Sequence, residues 1–276
     1  MDRLKRIQSL IVILFASLTM QAQTYHDVIE KAMAYTMTDS LEQAEKLFEE
    51  ALKMDPISAR NALLFSNLGT VQKRMGKVDK AIESYSMALN ITPYATPILL
   101  NRGALLLDKG LSNEAYIDFC NVIDLIPENV EARLYRAYIY MQRRMYEEAK
   151  IDYNVVVSKD SKHKSARIGL VLIDQNTGKM PSALNKLNLL INDFPKDASL
   201  FIMRANMELE QNFVDAAAVD LEEAISLEPN NTEILCQLGD VYLKLHKKVE
   251  ARKSFEQAIK LGVPRSSLRG QLKACK

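Results

Sequence analysis

Tryptophan is absent from this chain of 276 residues, and glycine (9), proline (8), cysteine (3) and histidine (3) are scarce. A strand-rich fold needs more turn residues than that, so helices are favoured. The cysteines, Cys120, Cys236 and Cys275, are odd in number and spaced unlike a disulfide framework. The first two read as small core residues and the third as a loose C-terminal thiol. His26, His163 and His246 have no cysteine or carboxylate at metal-ligand spacing, and no His-Glu-x-x-His pattern occurs. There is no Gly-x-Ser-x-Gly elbow. Gly76-Lys77 is followed by Val78 where a phosphate loop needs Ser or Thr, so it reads as a turn between helices. The sequence therefore predicts no cofactor, no metal and no catalytic set. The net charge is only +1, which argues against nucleic acid as a partner, since that role needs many phosphate contacts.

No apolar run reaches the roughly 20 residues that cross a bilayer. The longest, Leu10–Met20, follows Arg3, Lys5 and Arg6 and precedes Gln21-Ala22-Gln23. That order is an export signal of bacterial type over residues 1–22, with a cut after Ala22. It predicts a mature chain, 23–276, in the periplasm or secreted, with no direct membrane span. The alternative is an uncleaved N-terminal anchor holding the chain on the periplasmic side.

What is abundant is repetition. Pro93 to Pro127 is 34 residues, Pro195 to Pro229 is 34, and Pro127 to Pro195 is 68, with Ser161 at the skipped place. Pro56 to Pro93 is 37, so three extra residues enlarge the turn around Ile57–Asn61. Ahead of each of these markers stand apolar residues in fixed order. They are Ala44, Phe48, Ala51; Ala81, Tyr85, Ala88; Ala115, Phe119, Val122; and Ala149, Tyr153, Val156. Ala183, Leu187, Leu190; Ala217, Leu221, Ala224; and Ala251, Phe255, Ala258 continue the series. Spacings of i, i+3, i+4 and i+7, as in Leu41-Ala44-Leu47-Phe48-Ala51-Leu52, make one helix face. Ser40 with Gln43 predicts a capped start for that helix. Gly76, Gly110 and Gly178 mark helix ends, and Pro97 and Pro181 mark helix starts.

The period of 34, with Leu68-Gly69 and Leu238-Gly239 in phase and Phe65 and Phe201 at the family's tryptophan place, resembles the tetratricopeptide repeat. The resemblance implies an all-α, right-handed superhelical solenoid of about seven helix-turn-helix repeats, at 25–58, 62–95, 96–129, 130–163, 164–197, 198–231 and 232–265. Each pair exposes apolar surface that only its neighbour covers. A short helix over 266–276, with Leu268 and Leu272 on one face, is expected to cap the array.

Three repeats carry Arg102, Arg136 and Arg204 where others carry Leu68, Leu170 and Leu238. Sixteen residues on, the same three carry Asp118, Asp152 and Asp220, and the others Ser84, Lys186 and Ser254. Arginine and aspartate come and go together, which predicts structural ion pairs between the two helices of a repeat, because a lone buried arginine is strongly destabilising.

The family resemblance further implies that first helices line a concave groove. By phase its sides hold Ile29, Met33, Leu100, Leu134, Tyr138, Met141, Ile168, Leu172, Ile202 and Asn206, with Ser66, Thr70, Ala104, Gln175, Cys236 and Asp240. Chaperone-binding members clamp a carboxylate there with Lys, Asn and Arg. Ile29 and Met33 stand where that clamp begins, so the apolar groove points to a different peptide or helix. Charge is banded: 9 basic against 4 acidic residues over 133–167, 10 acidic against 2 basic over 193–233, and 10 basic against 2 acidic over 244–276. Acidic pairs such as Glu49-Glu50 and Glu222-Glu223 read as solvated helix faces. The expected function is a non-catalytic protein-binding scaffold of the cell envelope. The alternative is an accessory subunit of a larger envelope complex, gripping its partner through the convex or the basic C-terminal surface.

Overall fold

A computed structural model describes residues 24–276. The expected export signal over 1–22 lies outside the described residues. Among those residues every regular element is a helix. They form two compact units, the first ending at Ile139 and the second running Tyr140–Lys276.

The first unit contains α1 (24–37), α2 (Leu41–Met54), α3 (Asn61–Arg74), α4 (Val78–Ile91), α5 (Thr96–Asp108) and α6 (Ser112–Leu125). The second contains α8 (Tyr146–Lys159), α9 (Lys164–Asn176), α10 (Met180–Asp193), α11 (Ala198–Glu210), α12 (Val214–Leu227), α13 (Thr232–Lys244), α14 (Lys248–Lys260) and α15 (Arg269–Ala274). The division falls inside α7 (Val130–Gln142). In each unit a helix packs on the one before and the one after it. Odd-numbered helices from α1 to α13 are the first helices of the repeats and even-numbered ones the second.

The periodic residues explain the packing. Ala44, Ala81, Ala115, Ala149, Ala183, Ala217 and Ala251 are all fully buried. Their small side chains bring two helix backbones close, and a larger residue would overpack the crossing by about 1–3 kcal/mol. One turn later Phe48, Tyr85, Phe119, Tyr153, Leu187, Leu221 and Phe255 supply the buried bulk. Close approach is taken furthest at Gly169, where an added Cβ would collide with the Tyr153 ring.

The turns inside the repeats share one geometry. Asp39, Gly76, Gly110, Arg144, Gly178, Asn212 and His246 all sit in the left-handed region, φ 57–79°. The next residue donates its N–H to the carbonyl five residues back, as in Ser40 to Tyr35 (2.9 Å), Lys77 to Gln72 (2.9 Å) and Phe213 to Glu208 (2.8 Å). This Schellman closure satisfies orphan carbonyls of the first helix. It also corrects the expected cap at Ser40. That residue has φ −84°, ψ 65° and its side chain makes no capping bond, because backbone closure sets the entry to α2. Side-chain caps occur instead at first helices: Asn129 accepts from Ala132 N–H (2.8 Å), and Asn231 accepts from Glu233 and Ile234 N–H (3.1 and 3.2 Å).

The extra residues near Ile57 fall in a six-residue connection, 55–60, against four at 92–95. Asn61 closes it by donating to the Asp55 carbonyl (2.8 Å). At the other end α15 lays Leu268, with Leu272 beside it, on Phe255 and Ala258. Cys275 is buried in that cluster, so it is part of the C-terminal packing and not a loose thiol. Cys120 and Cys236 are half-buried.

Candidate protein-binding surface

The first helices carry a row of side chains at equivalent places: Ile29, Ser66, Leu100, Leu134, Ile168, Ile202 and Cys236. None is charged, and all are half-buried. Half-burial of an aliphatic side chain leaves apolar area in water that the fold does not cover, which is unfavourable by about 25 cal/mol per Å². One turn on, Met33 (48% exposed) and Tyr138 (49%) stand out from α1 and α7. Met141 and Leu172 are half-buried in the second unit and Asn206 is exposed. Sequence phase alone passed over Met37 (89% exposed) and Leu63 (63%), which extend the apolar surface of α1 and α3. Their spacing from Met33 and Ser66 was the available clue.

Neighbouring first helices touch through polar side chains. Lys73 of α3 donates to Asn101 of α5 (3.2 Å). Arg74 reaches the Thr36 carbonyl (2.8 Å) and Asp39 (2.7 Å). In the second unit Gln175 of α9 donates to Glu210 of α11 (3.0 Å). These links hold adjacent rows side by side. Thr70 is drawn out of the row's free set by its bond to the Tyr85 hydroxyl (3.1 Å).

Second helices also expose aliphatics, including Ile117, Ile151 and Val219. Their equivalents are Lys46, Glu83, Asn185 and Lys253, so apolar and charged residues are mixed on that side. Exposed single aliphatics are ordinary; an uncharged place recurring on the successive first helices of each unit is not.

The arginine–aspartate positions are brought together as follows. Arg102 donates to both carboxylate oxygens of Asp118 (2.9 and 2.7 Å) and to Ser86 Oγ (3.0 Å). Arg204 donates to both oxygens of Asp220 (2.7 and 2.6 Å) and to Asn188 Oδ1 (2.7 Å). Both aspartates are almost wholly buried and both arginines about three-quarters buried. Asp152 is buried, and Arg136 donates to Cys120 Sγ (3.6 Å). Beside Arg204, burial and the Asp220 charge push the Glu208 carboxyl up to about 6, with Arg204 opposing them, and Glu208 Oε2 has no hydrogen-bond partner. Elsewhere burial works against ionisation of Asp174, but hydrogen bonds from Lys186 and Ser182 prevail and hold it below the usual range.

Part of the charge banding closes on itself. Lys162 and Arg167 pair with Asp193, and Lys164 with Asp197, joining basic and acidic bands. The C-terminal band is different: Arg252, Arg265, Arg269, Lys273 and Lys276 line a cleft of about 480 Å³, and among the described residues only Arg252 of these five is in an ion pair, with Glu256.

Among the described residues no group of three or more His, Cys, Asp or Glu could hold a metal, and no helix is long and apolar enough to cross a membrane. His163 caps α9 and His246 occupies a left-handed turn.

Sequence profiles of the tetratricopeptide repeat match residues 29–58 and 221–253. A crystal structure of a tetratricopeptide repeat protein from Parabacteroides merdae is 27% identical, covers 92% of this chain and 99% of that one, and superposes with a TM-score of 0.71. The C-terminal part of a repeat-containing protein from Cytophaga hutchinsonii is 11% identical, covers 90% and 99%, and gives 0.73. Human protein O-mannosyl-transferase TMTC1 is 28% identical over 206 residues, which cover 73% of this chain and 23% of that protein. The chain thus spans less than a quarter of that curated relative.

Proposed function

The chain is a tetratricopeptide-repeat protein, and from that premise we propose that it is a non-catalytic scaffold of the cell envelope. It holds an extended peptide or a helix of another protein against the faces of its first helices. The observation that carries this reading is the uncharged, half-buried row present in each unit, Ile29, Ser66, Leu100 and Leu134 in the first and Ile168, Ile202 and Cys236 in the second. Such a surface gains free energy when an apolar partner covers it, and little when a charged one does. The residues that clamp a carboxylate in chaperone-binding repeats are replaced here by Ile29 and Met33, so the partner is read by its apolar side chains. The transferase activity in the human relative's name stays with that protein, of which the chain covers 23%. Placement in the periplasm or outside the cell, with or without an N-terminal anchor, rests on the export-signal pattern of residues 1–22.

The basic cleft at α15 supports a second reading, an accessory subunit that grips an acidic partner at its C-terminal end within a larger assembly. Photo-crosslinking separates the two. With the crosslinker at Leu172 or at Lys248 in the mature chain, mixed with its own envelope extract, the first reading predicts adducts from Leu172. Adducts from Lys248 alone contradict it.

A further inference from the structure

The arginine of an Arg–Asp repeat occupies a defined slot between three helices. The Arg102 guanidinium lies between Asp118 on its own second helix, α6, and Ser86 on the preceding second helix, α4. In the second unit Arg204 lies between Asp220 of α12 and Asn188 of α10. In two of the repeats that lack the arginine the same slot is open. In the first unit a cleft of about 540 Å³ separates α2, α3 and α4; Leu68, Gln72 and Ser84 lie deep, and Glu49, Lys80 and Glu83 stand around them. In the second unit a cleft of about 410 Å³ separates α12, α13 and α14, with Leu238 and Ser254 deep and Glu222, Glu250 and Lys253 around them.

The three positions that define the slot change together. Where arginine is present they read Arg102, Asp118, Ser86 and Arg204, Asp220, Asn188. At both open clefts they read Leu, Ser, Glu: Leu68, Ser84, Glu49 and Leu238, Ser254, Glu222. The aspartate has become serine, yet a carboxylate has entered at the place of Ser86 and Asn188. Each open slot therefore has a carboxylate at the Ser86/Asn188 place and no arginine of its own, with Lys53, Lys80 and Glu83 flanking the first and Lys253 and Glu250 the second; Ser84 Oγ donates to Gln72 (2.7 Å) and keeps its acceptor lone pairs. Among the described residues Glu49 has no ion-pair partner, and Glu222 accepts a bond from the Tyr242 hydroxyl (2.7 Å), which leaves its other lone pairs available. The repeat with Leu170 follows a different course: Lys186 stands at the aspartate place and pairs with Asp174, and Asn154 stands where Glu49 and Glu222 do.

We infer that the clefts at Leu68/Ser84/Glu49 and Leu238/Ser254/Glu222 are receptor slots for arginine side chains of a partner protein, taking in trans the guanidinium that neighbouring repeats supply in cis. The alkyl stem lies on Leu68 or Leu238, as a long basic side chain does on apolar surface. The planar fork donates to Glu49 and Ser84, or to Glu222 and Ser254. A planar donor set favours arginine over lysine, whose ammonium is a point charge. These slots are separate from the first-helix row and do not depend on its occupant.

The test uses the chain labelled with ¹⁵N and three short peptides that differ only in a central arginine, lysine or citrulline. The arginine peptide is expected to shift the amide signals of Ser84 and Ser254 saturably at millimolar concentration, and lysine and citrulline to bind about tenfold more weakly, as loss of one charge-assisted fork contact implies. Glu49→Gln with Glu222→Gln should weaken the arginine peptide about tenfold. Leu68→Arg with Ser84→Asp and Glu49→Ser, which rebuilds the internal pair, should abolish the response at residue 84 and leave that at Ser254. The converse change, Arg102→Leu with Asp118→Ser and Ser86→Glu, should add a third responding site at residue 118. The proposal is overturned if arginine and lysine peptides bind alike, if neither serine responds, or if the glutamine variants bind as well as the parent. It is overturned in favour of a second copy of this chain if the parent self-associates and the glutamine variants do not.

Discussion

Glu208 is a carboxyl group whose surroundings change its chemistry. Its pKa of about 6 in the fold stands above the ordinary 4.5, because burial comes first and the Asp220 charge second in opposing ionisation. A raised carboxyl pKa means that the fold binds this proton more tightly than the unfolded chain does. Its contribution therefore favours the fold at low pH and is lost as pH rises through 4.5 to 6. Glu208→Gln keeps the shape and removes the charge. It should raise the melting temperature at pH 8 and leave it nearly unchanged at pH 4; an equal gain at both would contradict the assignment. Sequence reading overlooked Glu208, since nothing in its neighbours along the chain reveals that Asp220 and Arg204 pack beside it. The Arg102–Asp118 and Arg204–Asp220 pairs were legible because covariation inside one chain exposed them. The open slots needed a third position, and the recurrence of Glu49 with Ser84 and of Glu222 with Ser254 was there to be read. Assigning Glu49 and Glu222 to solvated faces concealed it.

At the scale of helices, the two packing layers of a repeat are joined by apolar interlock and, in some repeats, by a buried fork of hydrogen bonds. Asp118→Ser alone leaves the Arg102 guanidinium facing apolar surroundings and should cost about 3 kcal/mol, the low end for a broken buried pair because Arg102 keeps Ser86 and some solvent. Arg102→Leu with Asp118→Ser reproduces the Leu68/Ser84 arrangement and should cost clearly less. Urea denaturation measures both; a double variant as unstable as the single one would refute the pairing. Helix positions were the most legible part of the fold, since fixed alanine and aromatic places set them. Turns were half legible. Gly76, Gly110 and Gly178 announced left-handed residues, whereas Asp39, Arg144, Asn212 and His246 adopt the same conformation without glycine and showed it only through the spacing of 34. Backbone closure at those turns made the predicted serine cap redundant. Cys275 was misjudged because burial by a six-residue helix is decided by packing that no local pattern records.

For the whole molecule, charge and apolar surface divide the work. The ion pairs from Lys162, Lys164 and Arg167 to Asp193 and Asp197 consume part of the banding, and the proposed function rests on apolar contact at the first helices. The most direct measurement is capture of the partner from envelope extract by the parent chain and by Tyr138→Glu, Leu172→Glu and Ile117→Glu, each first shown to melt with the parent by circular dichroism. The account predicts that Tyr138→Glu and Leu172→Glu lose the partner while Ile117→Glu, on a second helix, keeps it. Retention by the first two, or loss only with Ile117→Glu, contradicts it.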